Sequence, residues 1–536
     1  MKYLTAAALL AASATALAAP GAGVERREPV FSILPADGFE SVVEGGFERL
    51  WEGVKGGWAK VEQLWSTHED AVQVQDGGGF KEKTVYQILA EDEQFSKFFF
   101  LITQDPSTVT YLSTYSGPFT LFAPTNAAFP TPSPHQLPLE FGNPLALETL
   151  HRYFTAHPQG SGWAHKAAVK IVHALVQYHV LPHEAYALAQ LAENSTAGTA
   201  LHVPGSLLGA AQRIKLTPGL RPFPTIQINF AGHIVAPDKK ASNGIVHGVN
   251  RALQPGLSAM EQLYGVPWLF PFAHSEAPWF LEVTAGALAR TGLDKVVSHK
   301  PVFHRPSASA FDFATEEEQS IALAAAFLTQ DEDLSLPGLS WTGSPALTIF
   351  APSNKAWSRL PPRLSQWLHS PWGEWALEKL LKFHIVNGTV LFADWVHPKL
   401  SGVSPSAREG EEGEGEGGEA LWPKYDYTAL LPTLLGANHT LPIHVNKRPV
   451  LRLPPPGGER EVAAYHMWAK GVPVAVLDVP ARNGAVQVVE WVLNPLGGRN
   501  GTSGHGLEEG KGEQEQEGEG EWDRWEDWFV KWAREA

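Results

Sequence analysis

The chain has 536 residues with 41 Lys and Arg against 57 Asp and Glu, and its formal net charge of −16 excludes the basic surface that a nucleic-acid backbone requires. It contains no cysteine, so disulfides, cysteine-ligated zinc, iron–sulfur clusters and thiol nucleophiles are excluded together and stability must come from packing. The length suggests about three folding units; 44% hydrophobic residues with 19 Trp supply their cores, and 50 Gly with 42 Pro disfavour long helical bundles in favour of mixed or β-rich folds.

In chain order, Lys2, the alanine-rich apolar stretch Leu4 to Leu17 and the small-x-small triplet Ala16-Leu17-Ala18 read as a secretory signal peptide over residues 1–18. Arg26-Arg27 is a candidate dibasic cut, which would start the mature chain near Glu28. An N-terminal segment, residues 19–79, places Phe47, Trp51, Val54, Trp58, Val61 and Trp65 on one helical stripe. Trp522, Trp525, Trp528 and Trp532 beside Phe529 repeat that stripe at the other end. Each helix is expected to dock on its neighbouring domain or on the other terminal helix; peripheral contact with a membrane or carbohydrate surface is the alternative. No later run approaches the length of a membrane span.

Acidity is localised. Six Glu and one Arg lie between Arg408 and Glu419, and seven Glu and one Lys between Leu507 and Glu521. They fall in a Gly/Glu insert over 404–420 and in an acidic tail over 497–536 that also carries the Trp-rich helix, and the two Glu-rich runs are expected as solvated, disordered spacers. Asn194, Asn387, Asn438 and Asn500 each begin an Asn-x-Ser/Thr sequon, and secretion would expose them to N-glycosylation on loops or open edges.

The body of the chain repeats itself. Thr120 to Phe129 (TLFAPTNAAF) and Thr348 to Trp357 (TIFAPSNKAW) share six of ten residues; Asn243 to Leu253 and Asn483 to Leu493 share five of eleven. Between them, Leu175 to Leu181 and Leu380 to Val386 each centre an apolar segment on one histidine, His179 or His384. Such order-preserving similarity indicates a tandem duplication with insertions in loops. In the first block, Leu121-Phe122 and Ile349-Phe350 are expected to end a buried strand, with Ala-Pro turning the chain and Thr125-Asn126 or Ser353-Asn354 capping a short helix. In the third, Asn-Gly is expected to supply the positive φ of a tight turn before a last strand. Thr225 to Phe230 and Leu441 to Val445 alternate as strands do, whereas Val169 to Val180 and Ala376 to Ile385 have helical spacing, so periodicity alone gives an α+β class.

These three blocks together resemble the fasciclin-type domain, in the form of a secreted tandem pair of fungal-like type. The resemblance covers 80–257 and 274–496, with 258–273 as a short packed linker. It rests on Thr120, Phe122, Pro124, Asn126, Tyr178, His179, Asp238, Asn243, Gly244 and His247, and on Thr348, Phe350, Pro352, Asn354, Phe383, His384, Asp478, Asn483 and Gly484. It implies two domains, each a wedge of two β-sheets with a packed helical layer. The second repeat departs from the pattern at Gln487, opposite His247, and at Phe383, opposite Tyr178.

His173, His179 and His183 have the spacing of a possible metal set, but Pro182 separates the last two. His179 and His384 are read first as core histidines bonded to backbone, and Asp238 and Asp478 as turn-capping carboxylates. No catalytic, cofactor or metal site can be assembled from known motifs. The sequence therefore points to a secreted, N-glycosylated, non-enzymatic adhesion or matrix-associated protein whose partner is an extracellular protein or a glycan. Alternatives are a polysaccharide-binding module using Trp367, Trp372 and Trp375, a hydrolase with an unrecognised site, and, for location, a vacuolar lumen.

Overall fold

A computed structural model describes residues 83–129, 147–203, 205–219, 225–265, 281–303, 339–396, 426–453, 460–496 and 524–535, together with residues 321, 325, 406, 407 and 522. The signal peptide, the dibasic pair, the N-terminal Trp stripe, most of both acidic stretches and Asn500 lie outside the described residues.

Repeat 1 begins with short helices, two of which the sequence caps at their N-termini. Thr84 and Gln87 form a capping box on Val85–Glu91. Asp105, followed by Pro106, caps Pro106–Thr114 with bonds from the Ser107 and Thr108 amides. The chain then runs through the buried strand Phe119–Pro124 and the helices Leu147–Ala156 and Trp163–Tyr178. The latter turns Ala164, Ala167, Ala168, Ile171, Val172 and Leu175 inward at the three- and four-residue spacing that predicts a packed helix. A seven-stranded sheet follows in the spatial order Val180–Leu181, Phe119–Pro124, Gly244–Val249, Gly232–Ala241, Thr225–Ile228, Arg213–Gly219, Thr196–Gly198. Its two halves meet across Gly232–Ala241, whose beginning pairs with Thr225–Ile228 and whose remainder, broken by two bulges, pairs with the last strand. Bulges of this kind re-aim a strand, and they fold the sheet into the two sides of a wedge.

Repeat 2 repeats the plan. Glu374–Phe383 leads into Ile385–Asn387, which pairs with Leu347–Pro352, which in turn lies parallel to Gly484–Val489. The remaining order is Val472–Ala481, Arg460–Ala469, Gly436–Leu453, Asp426–Thr433 and Ser406–Ala407. The registers coincide: Phe119 faces Gly244 and Phe122 faces His247, as Leu347 faces Gly484 and Phe350 faces Gln487. This is the tandem α+β architecture that the repeat indicated.

Ala259–Gly265, inside the expected linker, is a helix with Ala259, Met260 and Leu263 buried in the second repeat's core. The C-terminal helix Trp525–Arg534 is seated on that same core, with Trp525, Phe529 and Trp532 buried alongside Leu364, Leu377 and Leu381. Those rings face protein, so the alternative of a free membrane or sugar anchor does not hold for this helix. Ile321 and Ala325 are buried in the first core, although they follow the second repeat's first helices in sequence.

Candidate functional site: the paired strand corners

In each repeat the recurring motif residues gather where the first strand meets the last. Both corner strands continue through Ala-Pro to the proline itself, two residues beyond the expected end, because the parallel partner holds them to Val249 and Val489. Ser353 caps the helix Asn354–Ser358 through a bond from the Ala356 amide, but Thr125 makes no such bond. Asn126 and Asn354 do something else. Each accepts an amide from the start of an earlier helix, Lys97 at 3.1 Å and Val283 at 3.1 Å, tying two elements far apart in sequence.

The glycine of Asn-Gly is required by close approach in both repeats, and at Gly484, with φ 154°, by its backbone conformation as well. Gly244 has no left-handed φ, and a Cβ there would lie 2.3 Å from the Phe119 carbonyl oxygen, as one at Gly484 would lie 1.8 Å from that of Leu347. Its asparagine is a clamp. Asn243 accepts the Val85 amide at 2.9 Å and donates to Leu112 O at 3.0 Å; Asn483 accepts the Ala259 amide at 2.8 Å and donates to Ser344 O at 2.9 Å. Thr120 and Thr348 are equally symmetric, donating to Glu184 O and Thr389 O while accepting the Tyr186 and Leu391 amides.

His179 and His384 end their helices fully inside the protein. The Nδ1 of each bonds the carbonyl four residues back, Leu175 at 2.7 Å and Leu380 at 2.8 Å, and the Nε2 of each meets a backbone amide at 2.9 Å, Leu253 and Leu493. A carbonyl only accepts and an amide only donates, so both rings are neutral with the proton on Nδ1. Burial depresses each imidazole from its ordinary value to about 4, against a smaller opposing effect of the carbonyl bond.

Asp238 and Asp478 occupy strand bulges in left-handed conformations, φ 55° and 61°. Each carboxylate accepts an amide from a distant segment, Leu188 at 2.9 Å and Ala393 at 2.8 Å. The amide of Asp238 donates to His247 Nδ1 at 3.1 Å, while His247 Nε2 donates to Tyr186 O at 2.8 Å. In repeat 2, Gln487 Oε1 accepts the Asp478 amide at 2.8 Å and its Nε2 donates to Leu391 O at 3.0 Å. A carboxamide, acceptor at one end and donor at the other, thus makes the same two bonds as the imidazole. The Tyr178 hydroxyl donates to Arg213 O at 3.2 Å and accepts from Asn229 at 3.0 Å; burial raises its pKa well above the ordinary range. Phe383, lacking a hydroxyl, lies instead beneath the Lys470 ammonium, 5.2 Å from the ring centre.

His173, His179 and His183 are not brought together: the first is half-exposed on the helix, the second buried at its end, and the third has left-handed φ beyond the next strand. No group of three metal-ligating side chains is present among the described residues. His173 does pair with Asp105, Nδ1 to Oδ2 at 2.7 Å, a contact 68 residues apart in sequence. Despite the opposing effect of burial, bonds from His173, Ser107 and Thr108 hold the Asp105 carboxyl far below the usual carboxylate range. Ser107 approaches the same Nδ1 at 3.1 Å, and Nε2 faces Gln177 at 2.9 Å. A hydrolytic triad needs its nucleophile at Nε2, so this cluster is a helix cap and not a triad.

The family model for the fasciclin domain matches residues 93–255 and 324–416. These matches support fasciclin domains in this chain. It carries two such domains in tandem; the second match stops inside the Gly/Glu insert, but the sheet of fasciclin domain 2 runs on to Gly484–Val489 in the register of domain 1. A solved fasciclin domain pair from the insect cell adhesion molecule fasciclin I is similar over 75% of this chain and 98% of that one, with 13% identity and a TM-score of 0.27. No curated protein matches the chain. Fasciclin domains are typically adhesion-related, and among the described residues no helix is long and apolar enough to cross a membrane.

Outside the corners, Asn387 and Asn438 are exposed and Asn194 is half-buried. Of the three surface tryptophans, Trp367 lies under Trp525 and Phe529, whereas Trp372 is 80% exposed and Trp375 is 38% exposed, with its Nε1 bonded to Trp372 O.

The sequence reading missed a cluster between the two fasciclin domains. From domain 1, Thr196 donates both its amide (2.6 Å) and its hydroxyl (2.5 Å) to Asp394 of domain 2. Arg213 reaches Thr196 Oγ1 at 2.8 Å and Asp394 at 3.8 Å, with its guanidinium 4.8 Å from the Trp395 ring centre. Lys215 donates to Ser195 at 2.6 Å and lies 3.6 Å from Asp478, to which Ser195 donates its hydroxyl. No single one of these residue types in its own stretch signals the cluster. The only trace in the sequence is that Asp394-Trp395 stands where the other repeat has Ala189-Gln190, a correspondence fixed by the paired bonds of Leu188 and Ala393 to the two corner aspartates.

Proposed function

We propose that the chain is a secreted, N-glycosylated, non-enzymatic adhesion protein of matrix or wall, acting through the outer faces of its two fasciclin domains. The observation that carries this reading is the inward use of the shared polar residues. Thr120, His179, Asn243 and His247, with Thr348, His384, Asn483 and Gln487, bond backbone groups of their own domain and hold its corner together. Recognition then falls to the outer surface, where the signal peptide and sequons of the sequence would place it before an extracellular protein or glycan. Purified full-length chain coated on a surface should retain cells or wall fragments of its source, and retention no greater than on a bare surface would overturn the reading. Fractionation of a tagged chain separates secretion from a vacuolar lumen, and a mobility shift on peptide N-glycosidase treatment, reduced stepwise by Asn→Gln at each of the four sequons, tests glycosylation.

Trp372 favours a second reading, binding of a polysaccharide. An indole this exposed, anchored by Trp375 on a turn that Arg290 fixes through His369 O at 2.8 Å, offers a stacking face to a pyranose ring. Trp372→Ala should abolish retention on insoluble glucan or chitin without lowering Tm; undiminished retention would exclude it.

A further inference from the structure

We propose that Ser195, Thr196, Arg213 and Lys215 of domain 1 and Asp394 and Asp478 of domain 2 form a desolvated ionic clasp that sets the mutual orientation of the two fasciclin domains. A partner spanning both domains then meets one preformed surface and not two tethered modules.

The clasp is buried throughout. Ser195, Thr196, Lys215 and Asp478 are each less than a tenth exposed, and the Arg213 and Asp394 side chains are 11% and 6% exposed. Around it, Leu207 packs with Ala346, Val390, Phe392 and Ala485, and its amide donates to Pro345 O at 2.8 Å. Gln212 donates to Arg482 O at 3.1 Å, and Lys447 to Glu193 O at 2.6 Å. The charged pairs do not explain why the domains adhere. Burial drives the Asp394 carboxyl upward although Arg213 lies beside it, and depresses the Arg213 guanidinium in turn, so desolvation outweighs pairing at both groups. What they contribute is geometry. An apolar patch tolerates sliding, whereas Thr196 with two bonds to one carboxylate and Arg213 between that carboxylate and an indole fit in one arrangement only.

The two repeats differ at this surface as such a role requires. Domain 2 has Asp394-Trp395 where a neighbour docks; domain 1, whose corresponding corner is Asp238, has Ala189-Gln190. Asp394 is also a suitable target, because the hydrogen bonds and the ion pair that its side chain makes go to Thr196 and Arg213 of the other domain.

The experiment is calorimetry and small-angle scattering of the full chain, wild type against Asp394→Ala and the double variant Arg213→Met/Asp394→Leu. Wild type should unfold in one transition. Asp394→Ala strands a buried guanidinium, so its transition should split in two and its radius of gyration rise; the double variant, with no charge to strand, should return to one transition. Should Asp394→Ala fail to fold, Thr196→Val, which removes the hydroxyl's bonds to Asp394 and Arg213 but leaves those two charges facing each other, should still broaden or split the transition. Two transitions in the wild type, an unsplit wild-type-like profile for Asp394→Ala (or for Thr196→Val in its place), or a double variant as divided as the single would overturn the proposal.

Discussion

At the scale of residues, each corner is built from groups whose protonation or size is dictated by two neighbours. His179 and His384 accept a backbone amide at Nε2, so a proton there breaks a bond and strands a charge. Their folded value of about 4 lies below the ordinary 6.5. The folded state therefore binds fewer protons, and the stability they contribute is complete above about pH 6.5 and is lost as pH falls toward 4. The loss should approach about 1.4 kcal/mol per pH unit for each ring, seen as a fall in Tm between pH 6.5 and 4 that His384→Gln makes shallower. Gln487→His should cost less than about 1.5 kcal/mol by urea denaturation, since His247 makes the same pair of bonds in domain 1. The repeated histidine and Asn-Gly were legible in the sequence, but the reason for the glycine was not. The steric demand comes from Phe119 and Leu347, more than a hundred residues away along the chain.

At the scale of elements, side chains that look like local caps connect distant pieces. Replacing Asn243 by Ala leaves the Val85 amide and Leu112 carbonyl unpaired between the last strand and two early helices, and should cost about 3 kcal/mol. Asn483→Ala should do the same in domain 2, read as a fall in the denaturant midpoint with unchanged slope. The terminal helix follows from its stripe: Trp525, Phe529 and Trp532 repeat at four and three, and the structure seats them on Leu364 and Leu377. Trp532→Ala should lower stability by about 3–5 kcal/mol, measured by thermal unfolding. The stripe told which face is buried. It did not tell against what, because a period fixes a face and the partner is whatever lies opposite in space.

For the whole molecule, the ionic cluster between the domains has a different salt response from surface pairs such as Arg290 with Glu374. Buried charges are screened little, so raising sodium chloride from 50 mM to 1 M should leave the cooperative unfolding profile within about 3 °C, whereas a junction of exposed pairs would weaken. The sequence by itself determined that one α+β module is present twice, since identical short-range patterns of strand, proline, capping residue and histidine can only build like corners. Only the tertiary structure decided how Gln487 replaces His247, why Gly244 and Gly484 are needed, and that Thr196 meets Asp394 across 198 residues. Those facts depend on distances between groups that the chain brings together by folding, and no local pattern encodes a distance.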